Sequence, residues 1–200
     1  MAEKTYAQVI TYGFGEKADV RAGNYAVRLV KNDQETDVPE GITFKVGYAG
    51  SVVPIRLHGV LGKPQAYAAE AAVAVGAALG VNLVEASEAL QDYAQANLLA
   101  QAGRMRFIAG INRSLILDDT YNAAPESVRA ALETLQSIPA KRKIAILGTM
   151  AELGDLSEQA HNAIGIVASE CADIIIGVGV GGKIITDSAR EHGFAHEKFF

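Results

Sequence analysis

The sequence predicts an α/β chain in two parts, and three patterns predict it. Residues 5–57 carry short alternating or β-branched runs broken by glycine and by Asp or Asn, which is a strand-and-hairpin pattern. Residues 64–94 then turn helical. From Gly103 onward, strand-like and helix-like segments alternate. Such alternation means parallel strands joined by right-handed crossovers, a Rossmann-like sheet.

The expected strands of the first part are Gln8–Tyr12, Tyr25–Val30, Ile42–Val46 and Val52–Leu57, with a polar turn at Lys31-Asn32-Asp33. Pro64 can open a helix through the alanine-rich stretch to Leu79, and Gly80 suits its end. A second helix is expected over Val84–Tyr93, followed by a linker at Gln95–Gly103. The boundary falls between parts 1–102 and 103–200. In the second part, strands are expected near Phe107–Ile108, Ser114–Leu117, Lys143–Leu147 and Ile174–Val178, with a last one starting at Lys198. Helices are expected over 126–137, 157–170 and 183–192, with Ser157 as an N-cap and Gly193 as a stop.

Half of the 200 residues are hydrophobic, enough for real cores, and the formal net charge is −5. That balance argues against nucleic acid or an anionic membrane surface as a general partner. No apolar stretch reaches the roughly 18 residues of a membrane span, and no signal-peptide pattern opens the chain. The single cysteine, Cys171, shares a helical face with Ala160, Ile164, Val167 and Ala168. A buried structural thiol is the reading that follows, in a reduced, cytoplasmic protein. No His, Cys and carboxylate spacing makes a zinc site.

The most informative stretch is Asp118-Asp119-Thr120-Tyr121-Asn122-Ala123-Ala124-Pro125-Glu126-Ser127. It follows the apolar run Leu115–Leu117 and leads into Val128, Ala131, Leu132 and Leu135, spaced along one helix face. Two carboxylates therefore sit at the carboxyl end of a strand, the edge where open α/β sheets bind ligands. The helix that starts at Pro125 offers free N–H groups to an anion. Turn and cap chemistry accounts equally well for Asp and Asn in such a loop.

This segment resembles the D-D-T-Y-N-A-N-P-D-S motif of the Mur ligases, the ATP-dependent enzymes that build the peptidoglycan stem peptide. Gly103-Arg104-Met105 resembles the family's G-R-M hinge, and Ala145–Gly154 its A-V-L-G-D-M-L-E-L-G stretch. His161 stands where the family places a His in the next helix. The resemblance covers residues 58 to 200 well and the first part more loosely. It is strongest to the branch that adds D-alanyl-D-alanine to UDP-N-acetylmuramoyl-tripeptide.

The resemblance implies the C-terminal part of an ATPase domain (1–102) followed by a Rossmann-like C-terminal ligase domain (103–200). It implies ATP and Mg²⁺ as cofactors of the whole enzyme, the tripeptide and D-alanyl-D-alanine as partners, and a monomer. Asp119 and Asn122 would hold the ATP ribose, and Arg104 would reach the phosphates. Gln65 lies in Gly62-Lys63-Pro64-Gln65-Ala66-Tyr67-Ala68, the counterpart of G-R-H-N-x-x-N near the adenine. Asp118, Thr120, Tyr121, Glu152 and His161 are substrate-side candidates, although a lone helical His is commonly a structural residue. Pro64, Ala68, Ala124 and Thr149 replace a family His, Asn, Asn and Asp.

ATP chemistry calls for a phosphate loop, G-x-x-x-x-G-K-[ST]. Gly177–Lys183 fits all but the hydroxyl, because Ile184 follows. The resemblance makes that stretch an ordinary βα turn and places the family's phosphate loop upstream of residue 1, so the chain is expected to be inactive alone. The competing readings are a stand-alone nucleotide-binding module using Gly177–Lys183 and a non-catalytic scaffold.

Overall fold

The structure is a computed structural model that describes residues 6–7, 9–31, 37–96 and 103–195. It divides into two compact units, Met1–Ala100 and Gln101–Phe200. Asn32 and Asp33 of the expected turn, most of the linker expected at Gln95–Gly103 and the strand expected from Lys198 lie outside the described residues.

The first unit holds a four-stranded sheet in the order β1 (Tyr12–Gly13), β2 (Val20–Lys31), β3 (Asp37–Tyr48), β4 (Ser51–His58). β1 runs parallel to β2, and β2–β3–β4 form an antiparallel meander. The last three strands contain the expected ones and extend beyond them. The first departs from expectation: of the described residues Val9–Tyr12, only Tyr12 is in a strand. Its neighbour Thr11 instead gives its N–H and hydroxyl to the Asp19 carboxylate, at 2.8 and 2.7 Å. A local side-chain partner takes the Thr11 donors, while the Thr11 carbonyl still accepts from the Val20 N–H of β2 at 2.9 Å.

Alternation sets the buried face of the meander. Ile42, Phe44, Val46, Ile55 and Leu57 point inward, while Lys45, Pro54 and Arg56 are exposed. The turn joining β3 to β4 places both Ala49 (φ 48°) and Gly50 (φ 82°) in the left-handed region, as a tight two-residue hairpin requires. Helices α1 (Lys63–Ala78) and α2 (Leu83–Ala96) follow, α1 packing on β1–β3 and α2 on β4. Gly80 (φ 84°) ends α1, and the Val81 N–H closes back on the Gly76 carbonyl at 2.9 Å. Glu70 lies on the buried stripe of α1 with Ala66, Ala69, Val73 and Ala74, and neither of its carboxylate oxygens has a hydrogen-bond partner.

The second unit begins with a hairpin. β5 (Arg106–Ala109) pairs antiparallel with β6 (Leu115–Asp118), Phe107 facing Leu117. This corrects the expectation of parallel strands throughout. The connection Gly110–Ser114 closes on itself through a Gly110 N–H bond to the Ser114 carbonyl and is far too short for a crossover. Parallel pairing appears where a helix intervenes: β7 (Ile144–Leu147) and β8 (Ile174–Gly177) are parallel and linked through α4 (Ser157–Cys171). α3 (Pro125–Ser137) follows β6, and α5 (Gly179–Glu191) follows β8.

One core joins α3, β7, α4, β8 and α5: Leu132, Ala145, Ile164, Val167, Ala168, Cys171, Ile175, Ile185, Ala189, with Met150 and Phe194. Each large side chain in it is worth about 1.5–3 kcal/mol relative to exposure. Ile144 and Ile146 alternate with Ala145 and point to the opposite, exposed side. Pro125 opens α3 as expected, and the Ser127 hydroxyl both accepts from the Ala124 N–H and donates to its carbonyl. Gly193 (φ 91°) lies just past α5. Ser157 is not the N-cap: it is the first residue of α4, and no side chain caps that helix. α5 starts at Gly179, four residues ahead of the expected 183, and in its first turn Gly181 sits against His161 and Gly182 against the Gly177 and Leu147 backbone.

Candidate functional site

The acidic corner and the hinge form one hydrogen-bonded block. β5 and β6 pair so that Arg106 faces Asp118, which brings Gly103–Met105 against the start of the loop after β6. The Met105 N–H donates to Asp119 Oδ1 at 3.0 Å, the Gly103 N–H donates to Asp118 Oδ2 at 3.2 Å, and the Tyr121 N–H donates to the Gly103 carbonyl at 3.0 Å. Gly103 has φ 70°, and a Cβ there would meet the Tyr121 nitrogen at 3.0 Å. Only glycine fits that conformation and that approach.

The two carboxylates are unlike. Asp118 spends its oxygens on its own chain: Oδ1 accepts from the Thr120 hydroxyl at 2.7 Å and the Thr120 N–H at 3.2 Å, and Oδ2 from Gly103. The Thr120 hydroxyl above all holds its pKa below the ordinary range, with the Gly103 N–H and Arg106 helping. Asp119 moves the other way. Burial raises its pKa, the neighbouring Asp118 charge adds to this, and the Met105 N–H and Arg104 oppose it. Asp118 is thereby the organiser of the loop. Asp119 keeps Oδ2 for another partner, since among the described residues only Oδ1 is engaged.

Arg104 lies over the Tyr121 ring, its guanidinium carbon 4.2 Å from the centroid. Tyr121 and Asn122 are exposed. The corner thus presents a half-buried carboxylate, an open amide and a guanidinium beside an aromatic face, the polar set that can grip hydroxyls and an anionic group.

The remaining expected residues fall elsewhere. Gln65 is half-buried in the first turn of α1 in the first unit, its N–H bonded to the Gly62 carbonyl at 3.2 Å. Glu152 is exposed and left-handed (φ 61°) in the loop between β7 and α4. His161 is fully buried and belongs to a separate constellation. Its Nδ1 is 2.7 Å from the Ser157 carbonyl, which can only accept, so Nδ1 carries the proton and Nε2 accepts the Met150 N–H at 2.9 Å. Both ring nitrogens are spent on the fold. The backbone donors of Gly103 and Met105 were not singled out in the sequence. The glycine carried a signal, whereas a backbone N–H looks the same at every position.

Gly177–Lys183 is not an open loop. The Gly181 N–H donates to the Thr149 hydroxyl at 3.1 Å. A Cβ on Gly181 would come within 2.4 Å of His161 Nε2, and one on Gly182 within 2.8 Å of the Gly177 and Leu147 backbone. Among the described residues no group of three or more His, Cys, Asp or Glu could hold a metal ion.

Residues 103–198 match the family model described as "Mur ligase, glutamate ligase domain". Residues 103–198 thus carry a Mur ligase domain. It is 33% identical over 135 residues to the UDP-N-acetylmuramoyl-tripeptide--D-alanyl-D-alanine ligase of Bacillus subtilis, covering 66% of this chain and 28% of that protein. The enzyme of the same name from Mycobacterium tuberculosis is 30% identical over 204 residues, covering 99% of this chain and 37% of that one. A crystal structure of MurF from Acinetobacter baumannii superposes with a TM-score of 0.73 at 29% identity, over 96% of this chain and 37% of that one. The chain therefore spans about a third of the length of the relatives it matches. The mixed α/β architecture is the one these Mur ligase structures share, with a Rossmann-like second unit.

Proposed function

We propose that this chain contributes to an ATP-dependent ligase that joins D-alanyl-D-alanine to UDP-N-acetylmuramoyl-tripeptide. In this reading residues 1–102 belong to the ATPase domain, and 103–200 form the C-terminal ligase domain of a monomeric, cytoplasmic enzyme. Among the described residues no helix is long and apolar enough to cross a membrane.

The observation that carries the reading is the Met105–Asp119 hydrogen bond, because it couples the hinge to the acidic corner. A hinge that turns while keeping this bond moves Asp119, Asn122 and Arg104 as one piece. Asp119 Oδ2 and the Asn122 amide fit the hydroxyls of a ribose, and Arg104 fits its phosphates. Gln65 remains a candidate for adenine. Thr120, Tyr121 and Glu152 face solvent and remain candidates for the peptide side, whereas Asp118 and His161 act by holding the loops in place. When bound, ATP supplies the phosphoryl group that activates the tripeptide carboxylate. No residue of this chain is assigned to Mg²⁺.

The 200-residue chain is expected to have no ligase activity by itself and to bind ATP weakly through the Asp119 corner. Isothermal titration with ATP, repeated on Asp119→Ala and on Lys183→Ala, tests this. Loss of binding in the Lys183 variant with binding kept in the Asp119 variant would reassign the nucleotide to Gly177–Lys183. ATP-dependent phosphate release in the presence of tripeptide and D-alanyl-D-alanine would overturn the expectation of inactivity.

A further inference from the structure

We infer that the open trough on the outward face of the β2–β4 meander binds a small phosphate-rich anion of the diphosphate class. The trough has a volume of about 450 Å³ and is lined by Arg21, Gly23, Lys45, Gly47, Gly50 and Ser51, among others. Register explains its charge. Arg21 pairs with Gly47 and Gly23 pairs with Lys45, so the two cations are diagonal neighbours on one face of the sheet. The other two corners of that square are glycines. A Cβ on Gly23 or Gly50 would meet nothing within 4 Å, whereas one on Gly47 would meet the Val52 side chain at 3.5 Å, which also lines the trough.

Both cations are exposed, and neither has an ion-pair partner among the described residues. The nearest acidic side chain in the lining, Asp19, is engaged by the Thr11 N–H and hydroxyl, which hold its pKa down. Two neighbouring like charges over an open concavity repel each other until an anion sits between them. Arg21 supplies a planar fork for phosphate oxygens and Lys45 a point charge. The β3–β4 turn bounds the trough, and the chain's net charge of −5 disfavours a long polyanion. A compact ligand with two anionic centres is the complement.

The test is a ¹⁵N NMR titration of the 200-residue chain with inorganic pyrophosphate at about 0.15 M salt, where exposed charges more than about 8 Å apart are screened. Saturable shifts at the Gly23, Gly47 and Gly50 amides are expected, with a dissociation constant near or below about 1 mM. The double variant Arg21→Gln/Lys45→Gln should weaken binding by about tenfold or more, and Asp19→Asn should leave it intact or tighten it. Shifts that fail to saturate, that fall equally on Lys141–Lys143, or that persist in the double variant would overturn the inference. The wild-type titration decides even if the double variant does not fold.

Discussion

The Met150 N–H donates to His161 Nε2 at 2.9 Å, and this bond fastens the loop after β7 to helix α4. Met150 is buried at the same point, so the loop is held by a polar bond and an apolar anchor together. Replacing His161 with Ala removes both ring bonds, leaves the Met150 N–H unpaired and opens a cavity. A loss of about 2–5 kcal/mol is expected, read by urea unfolding of the wild type and His161→Ala. A loss under about 0.5 kcal/mol, the range of ordinary surface substitutions, would show that the ring does not fasten the loop.

The same joint predicts a contrast between glycines. Gly181→Ala drives a methyl to 2.4 Å from His161 Nε2, whereas a Cβ on Gly148 meets nothing within 4 Å. Gly181→Ala should destabilise by at least about 2 kcal/mol through overpacking, and Gly148→Ala should stay within about 1 kcal/mol of wild type. Thermal unfolding of the two variants side by side checks this, and equal melting temperatures would contradict it.

Asp118 and Asp119 should titrate on opposite sides of the ordinary aspartate value of 3.8. Carboxyl-detected NMR between pH 2 and pH 7 would show it. Because the folded pKa of Asp118 is depressed, its contribution to stability is present above the unfolded pKa and is lost as pH falls through the folded one. Asp118→Asn should therefore cost stability at neutral pH, by no more than about 1 kcal/mol because solvent screens this open carboxylate. Coincident titration of the pair would remove the distinction between organiser and binder.

Glu70 sets an opposite dependence in the first unit. Burial alone pushes its pKa from 4.5 up to about 7. The fold favours the neutral acid, so the contribution to stability is fully present below the unfolded value near 4.5 and is lost as pH rises through about 7. The span corresponds to about 3 kcal/mol, taking about 1.4 kcal/mol per unit. Hydrogen exchange of the α1 amides should speed up from pH 5 to pH 8 beyond its intrinsic rate. Glu70→Leu should abolish that excess and protect α1 at pH 8. An unchanged profile in the variant would count against a buried, unpaired acid.

Much of this was legible because local patterns are backed by local physics. The Ile42–Val46 alternation, the Pro125 start and the Gly80 and Gly193 stops each follow from neighbours a few residues away. The misses share a cause. The Thr11 N–H went to Asp19, α5 began inside a glycine run, and β5–β6 closed as a hairpin, each involving contacts that periodicity does not weigh.

For the site, order along the chain was enough to nominate Asp118, Asp119, Asn122 and Arg104, because residue type and position after a strand limit the chemistry available. Which carboxylate is consumed by the fold was decided only in three dimensions. Asp118 is surrounded by the N–H groups of Gly103 and Thr120, whereas among the described residues Asp119 meets a single donor in a half-buried setting. His161 likewise took its role from the Ser157 carbonyl and the buried Met150 amide that the fold delivers to its two nitrogens. Side-chain identity is written in the chain, but solvent exposure and the count of hydrogen-bond partners come from packing.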